Sequence, residues 1–270
     1  MSGRSTVEDE VSLVILSHNR RMELDRTLAH TRKLHERLPV IVVDNGSTDD
    51  TTSFVRQRYP EVTLISTGCN LGAAGRNLGV NQVRTPLVAF SDDDTWWEPG
   101  ALRHAAQIFS SHSELGVLNA TVLVGPEART DPCCLQMQRS PLPEFRGVGP
   151  SLAGFMAGAS VMRAEAYRQA GGYWPLFFIG GEEELMAIDI LEAGWKIAYC
   201  PEIRVHHWPS QLRDSKTRRH LTARNAVWTA LLRLPWSMAL KRSHTVLTHV
   251  PETRRRIEVI NETAFKSAMT

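Results

Sequence analysis

An α/β fold built on a doubly wound, mostly parallel sheet, with a helical C-terminal tail, is predicted by two observations. Four short apolar runs punctuate the first third of the 270-residue chain, at 11–17 (VSLVILS), 39–45 (PVIVVDN), 62–67 (VTLIST) and 86–92 (PLVAFSD). Polar segments with helical spacing separate them, at 20–38, 48–59 and 72–83. Strand and helix alternate, and the runs are nearly continuous in apolar character, as parallel strands covered on both faces must be.

Each run ends in polar residues: SHNR after the first, DNGSTDD after the second, GCNLGAAGRN after the third and DDD after the fourth. Ligands of such sheets bind beyond the carboxyl ends of the strands, so these four clusters should line one crevice. The pattern then continues with a helix at 98–111 and a strand at 115–124, followed by a proline-bearing connection at 126–150 that reads as a long loop or lid. A strand at 157–163, a helix at 181–194 closed by glycine, a strand at 196–202 and helices from Asp214 complete it. There is no internal repeat or low-complexity block.

Several classes are disfavoured at once. The opening MSGRSTVEDE lacks the apolar core of a secretory signal, so a cytoplasmic protein is expected, peripheral at the inner membrane face if the tail meets lipid. Cys69, Cys133, Cys134 and Cys200 show no C-x-x-C spacing and read as reduced thiols. The longest apolar stretch, at 226–240, is broken by Arg233 and Pro235 and falls short of the roughly 20 residues of a spanning helix. Charge is unevenly placed: 13 Lys/Arg against 4 Asp/Glu from Arg204 onward give +9, although the whole chain is only +2. Such a tail suits an anionic partner such as phosphate or a lipid surface, or is simply a solvated face; no nucleic acid is expected.

Three adjacent acids, Asp92, Asp93 and Asp94, are the sharpest chemical signal. At a strand end residues i and i+2 share a side, so Asp92 and Asp94 would face one ion while Asp93 turns away. Oxygen ligands with spare positions suit Mg²⁺ or Mn²⁺, which keep waters and bridge to substrate phosphates. The rival reading makes Asp94 or Thr95 the N-cap of the next helix, yet capping needs only one acid. Asp44 could accept a bond from a base N–H or a ribose hydroxyl, Gly72 and Gly75 allow close backbone approach, and Arg76 offers a fork of donors for phosphate. Each stretch has a plainer reading as a turn or cap; the ordered set is the stronger signal.

The series VILSHNR, VVDNGSTDDT, GCNLGAAGRNLGV and FSDDDTWWEPGAL resembles the nucleotide-binding half of family 2 glycosyltransferases of the GT-A fold, the non-processive, rhamnosyltransferase-like members in particular. The resemblance implies a catalytic domain over 1–210, with a nucleotide-sugar half at 1–125 and an acceptor-side half at 126–210, and a helical extension at 211–270. It implies that DDD is the D-x-D element, with Asp94 on the metal, Asp92 near the ribose or metal, and Asp93 counted with the nucleotide-sugar contacts. It further implies that Asn19, Asp44 and Asn45 surround base and ribose, and that Asn70, Gly72, Arg76 and Asn77 form the loop and helix start by the nucleotide.

The later block GGYWPLFFIGGEEELMAIDILEAGWKIAYCPEIRVHH is similar to the acceptor side of the same family, where an acidic pair precedes a helix, AGW and a distal histidine. That places the pair on Glu182 and Glu183, with Glu183 preferred as the base; the family's second acid is usually Asp. Of His206 and His207, the resemblance selects His207 as the residue approaching metal or diphosphate. Among Trp96, Trp97, Trp195 and Trp208, one or two are expected to face a sugar ring, the rest being core or rim.

The implied reaction is inverting transfer from a UDP- or dTDP-linked sugar to a hydroxyl of a glycan, lipid-linked or small aglycone acceptor. The processive Q-x-x-R-W element is absent, which favours single addition. The rivals are a sugar-nucleotide nucleotidyltransferase, which lacks here its early Gly-rich basic loop, and a non-catalytic nucleotide-sugar-binding protein. A dehydrogenase is disfavoured because no G-x-G-x-x-G follows the first strand. In the tail, Leu221, Trp228 and Leu232 fall near one helical face with Arg218, Arg219 and Arg224 around it. That face rests on the catalytic domain, a membrane surface or a second subunit.

Overall fold

The computed structural model describes residues 7–209 and 215–249. In chain order it contains α1 (Val7–Glu10), β1 (Val11–Ser17), α2 (Arg21–Thr31), β2 (Val40–Asp44), α3 (Thr51–Arg58), β3 (Thr63–Ser66), α4 (Gly75–Gln82), β4 (Leu87–Asp92) and β5 (Thr95–Trp97). There follow α5 (Ala101–Ser111), β6 (Leu115–Val124), β7 (Arg129–Thr130), α6 (Pro132–Met137), β8 (Glu144–Phe145), β9 (Gly149–Pro150), β10 (Ser160–Arg163), α7 (Ala164–Gln169), α8 (Glu182–Glu192) and β11 (Lys196–His207). A helical hairpin, α9 (Ser215–Arg233) and α10 (Trp236–His249), closes the described chain. Residues 1–6 of the opening segment, and 211–214 and 250–270 of the expected extension, lie outside the described residues.

The nine-stranded sheet runs β3-β2-β1-β4-β10-β6-β11-β5, with β7 beside β6. Strands β1 to β4 pair in parallel, which accounts for the unbroken apolar runs: Val11, Leu13, Val14 and Ile15 are all buried. The second half is mixed. Strand β10 lies antiparallel between β4 and β6, and β11 is parallel to β6 but antiparallel to β5.

Four elements differ from expectation. Helix α2 stops at Thr31, and Arg32 beyond it turns to Glu61 at 2.6 Å. A short strand, β5, separates the acids from α5, whose N-cap is Gly100, so neither Asp94 nor Thr95 caps a helix. The connection at 126–150 is not bare loop: Asp131 caps α6 through the Cys133 N–H, Pro132 occupies its first turn, and β8 pairs with β9. Strand β11 runs five residues past the expected 202, because a bulge between Cys200 and Arg204 absorbs Pro201, which has no N–H to give the ladder. That extension carries His206 and His207 to the site.

Helix α9 packs on the body of the sheet domain. Arg233 pairs with Asp189 of α8 at 2.6 Å, and Trp228 lies against Trp174 and Phe177. No helix among the described residues is long and apolar enough to cross a membrane.

Candidate active site

A cavity of about 590 Å³ opens at the carboxyl edge of the parallel strands. Each of the four strand-end segments supplies part of its wall: His18 and Arg20 after β1, Asn45 after β2, Asn70 and Gly72 after β3, and Asp92, Asp93 and Asp94 after β4. The opposite sequence half adds Phe155, Met156, Gly158, Phe178, Glu182, Glu183 and His207, and α9 adds Arg218.

The three aspartates do not behave as alternating strand residues, because the strand ends at Asp92 and Asp93 and Asp94 form the turn into β5. Asp92 pairs with Arg76. Asp93 and Asp94 both approach the Arg20 guanidinium at 3.6 Å, and Asp94 also lies 3.5 Å from the His207 ring. Among the described residues no three His, Cys, Asp or Glu side chains gather as a ligand set; Asp94 and His207 stand together, while Asp92 is held by Arg76. The turn breaks the i, i+2 rule, and Arg76 takes Asp92.

Local pairing explains which histidine arrives. Strand β11 is registered on β5 with His207 opposite Thr95, and the Trp208 N–H donates to the Asp94 carbonyl at 2.9 Å. His206 points to the other face, where it meets Glu98 at 3.1 Å and stacks on Trp96.

Electrostatically the acidic end is under-compensated. Burial, reinforced by the neighbouring Asp94, raises the Asp93 carboxyl well above its ordinary range in spite of Arg20. Two nearly enclosed carboxylates sharing one guanidinium, with an imidazole at their side, fit a divalent cation: Asp94 and His207 would hold it, leaving positions for water and phosphate oxygens.

Arg76 joins the two halves of the site. Burial opposes its charge, but Asp92, Tyr173, Glu182 and Glu183 outweigh that and hold the guanidinium firmly protonated. The glutamate run starts α8 after two glycines in the left-handed region. Its third member is drawn away, Glu184 pairing with Arg242 of α10 at 2.5 Å. Glu182 is buried, and its Oε2 has no hydrogen-bond partner among the described residues. Burial first, then the Glu182 charge, push the Glu183 carboxyl up to about 7.

Other expected contact residues are hydrogen-bonded within the protein. The Asn45 side chain is spent on the loop, donating to Asn70 Oδ1 at 3.0 Å and the Gly72 carbonyl at 2.9 Å, and accepting from the Leu71 N–H at 3.0 Å. Asp44 is buried, accepts from the Ser47 N–H at 3.1 Å and from the Thr52 hydroxyl, and does not line the cavity. Asn19 likewise stays outside the wall, its Oδ1 accepting from the Thr48 N–H at 2.7 Å. Asn77 holds the Tyr173 backbone through both its amide atoms, at 2.8 and 2.9 Å. None of Trp96, Trp97, Trp195 and Trp208 lines the cavity; Trp96 and Trp97 are core, and Trp195 bonds Gln169.

Sequence reasoning passed over Arg20, although it directly follows SHN, and it placed Arg224 and Trp228 on a face that could rest on the body of the protein but missed Asn225. Asn225, fully buried, donates to the Phe177 and Gly180 carbonyls at 2.9 and 2.7 Å, and Arg224 donates to the carbonyls of Leu176 and Phe177 at 3.0 and 2.9 Å. The clamped segment leads into α8, and its Phe178 carbonyl accepts from the Ala73 N–H at 2.6 Å. A Cβ on Gly72, itself at φ 60°, would collide with that carbonyl, so glycine is required there. Across the cavity, a Cβ on Gly158 would come within 2.7 Å of Asp92 Oδ2.

A mixed sheet flanked by helices, with three aspartates at a strand end and a facing carboxylate pair, defines the class, and comparison with known proteins agrees. The model for glycosyl transferase family 2 matches residues 12–171. The chain belongs to that family, has the GT-A fold and is a glycosyltransferase. Among its relatives is the N-acetylglucosaminyl-diphospho-decaprenol L-rhamnosyltransferase of Mycobacterium tuberculosis, 26% identical over 92% of this chain and 96% of that protein. Solved structures with the same fold include the mannosyltransferase PcManGT of Pyrobaculum calidifontis in complex with GDP-Man and Mn²⁺, with a TM-score of 0.65 at 17% identity over 94% of this chain and 75% of that one. S. aureus TarS 1–349 in complex with UDP-GlcNAc gives a TM-score of 0.65 at 15% identity, over 88% and 71% of the two chains.

Proposed function

We propose that the protein transfers a single sugar, with inversion, from a UDP- or dTDP-linked donor to a hydroxyl of a lipid-linked acceptor, and that rhamnose is the first donor sugar to test. The observation that carries this reading is the single cavity holding both the Asp92, Asp93, Asp94 and Arg76 cluster and the raised carboxyl of Glu183. The acceptor class follows the diphospho-decaprenol substrate in the name of the M. tuberculosis relative.

In this reading residues 1–125 form the donor half, 126–210 the acceptor half and 211–270 an extension supporting the latter. Asp94 and His207 hold Mg²⁺ or Mn²⁺, the latter being the ion bound with GDP-Man in PcManGT. A divalent cation there supplies charge neutralisation for the departing diphosphate. Arg76 adds a fixed, permanently charged guanidinium on the same side, and Asp92 orients it. Asn45 and Asn70 shape the Gly72 loop against which the nucleotide lies, and Asp44 and Asn19 brace the strand end and turn behind it.

Glu183 takes the proton of the acceptor hydroxyl as its oxygen bonds to the anomeric carbon. The carbon–oxygen bond to phosphate breaks on the opposite face, and its electron pair leaves with the nucleoside diphosphate, so the configuration inverts. A carboxyl poised at about 7 is a stronger base than an ordinary glutamate while remaining largely ionised just above neutrality. A donor panel with Mn²⁺, scored by release of nucleoside diphosphate and by the anomeric configuration of the product, tests the reading. Release of pyrophosphate would instead mark a nucleotidyltransferase.

A further inference from the structure

The catalytic chemistry leaves one surface without a role. Near the cavity lip Leu176 is 51% and Phe178 37% exposed. Their segment sits on the α9 face that bears Arg224 and Trp228, and at helical spacing along the same face come Leu231 and Leu232, 43% and 45% exposed. The start of α10 then presents Trp236 at 72% and Leu240 at 61%. An exposed apolar strip of this extent marks an interaction surface rather than ordinary scatter.

Its electrostatics select the occupant. Residues 215–249 contain seven Lys/Arg and no Asp/Glu. Arg224, Arg233 and Arg242 are engaged with the catalytic body, while Arg218, Arg219 and Lys241 are exposed. Two copies of so uniformly basic a hairpin would repel one another, whereas an anionic bilayer satisfies both the apolar strip and the charge.

We propose that this strip, from the cavity lip along α9 to the start of α10, docks the enzyme on an anionic lipid bilayer. The inference deepens, and rests on, the reading of a lipid-linked acceptor: docking there would hold the cavity mouth beside the membrane that carries the acceptor's headgroup.

The test is co-sedimentation of the full chain with phosphatidylcholine vesicles, with and without phosphatidylglycerol, at low and high salt. The wild type should sediment with the anionic vesicles at low salt, and less as salt screens the charges. The double variant Trp236→Glu/Leu240→Glu should lower partitioning about tenfold or more, because it replaces two exposed apolar anchors with negative charge. Met22→Glu, equally exposed but on α2, should leave partitioning unchanged. Donor hydrolysis in both variants should match wild type, showing that they fold. A wild type that stays in the supernatant overturns the proposal, and does so in favour of a second copy if light scattering finds a dimer that the double variant dissolves. A double variant that binds as well as wild type also overturns it, by placing the contact elsewhere. Transfer to a soluble acceptor analogue is measured in parallel: transfer without vesicle binding removes this inference alone, and vesicle binding without transfer removes the catalytic reading alone.

Discussion

The acidic runs at 92–94 and 182–184 each commit one of three carboxylates to an arginine, Asp92 to Arg76 and Glu184 to Arg242, but the remaining pairs meet opposite surroundings. Asp93 and Asp94 have Arg20 and His207 beside them in a turn open to the cavity. Glu182 and Glu183 begin a helix among buried side chains, with Arg76 as the cation that acts on them and Oε2 of Glu182 unsatisfied. The difference teaches that identical charge can be given opposite work. In the proposed reading the aspartates beside Arg20 and His207 gather positive charge for a leaving diphosphate, whereas Glu183, raised by burial and by the neighbouring Glu182, takes a proton.

Four substitutions break or sharpen that contrast. Glu183→Gln should have the largest effect, lowering transfer by on the order of 10²–10⁴-fold while nucleotide binding by calorimetry is retained. Asp94→Ala should lower metal-dependent transfer by on the order of 10²–10³-fold and weaken Mn²⁺ binding, read by titration of the ion in the presence of nucleoside diphosphate. Asn225→Ala touches neither cluster but frees the carbonyls of Phe177 and Gly180; it should cost about 1–3 kcal/mol in denaturant unfolding and lower kcat by on the order of tenfold with KM little changed. Glu182→Gln should act most gently. Removing the like charge lets Glu183 ionise more easily, so the acid limb of kcat/KM should move about one unit to lower pH.

The half of the fold built on β1 to β4 was legible in the sequence because its logic is local. Each strand and the polar residues at its end are contiguous, and the topology of parallel sheets brings those ends together without knowledge of side-chain contacts. Individual roles there were less legible, since Asn45 and Asp44 are recognisable as polar strand-end residues whether they face a nucleotide or, as here, brace a loop. The second half of the chain depends on long-range pairings that no spacing announces. Asn225 reaches back across 45 residues to Gly180, and Asn77 is 96 residues from Tyr173. Strand β5 was hidden by its length of three residues, and its pairing with β11 brings His207, rather than His206, beside Asp94.

The central claim is that a carboxyl raised by burial beside a like charge takes the acceptor proton. The most direct measurement is the pH dependence of kcat/KM for wild type with Mn²⁺ held saturating. Because the raised carboxyl is active only when ionised, the rate should climb with pH through an inflection at about 7, level off above it, and lose that inflection in Glu183→Gln. A rate that stays flat down to the ordinary glutamate range, or an inflection that survives in Glu183→Gln, would contradict it.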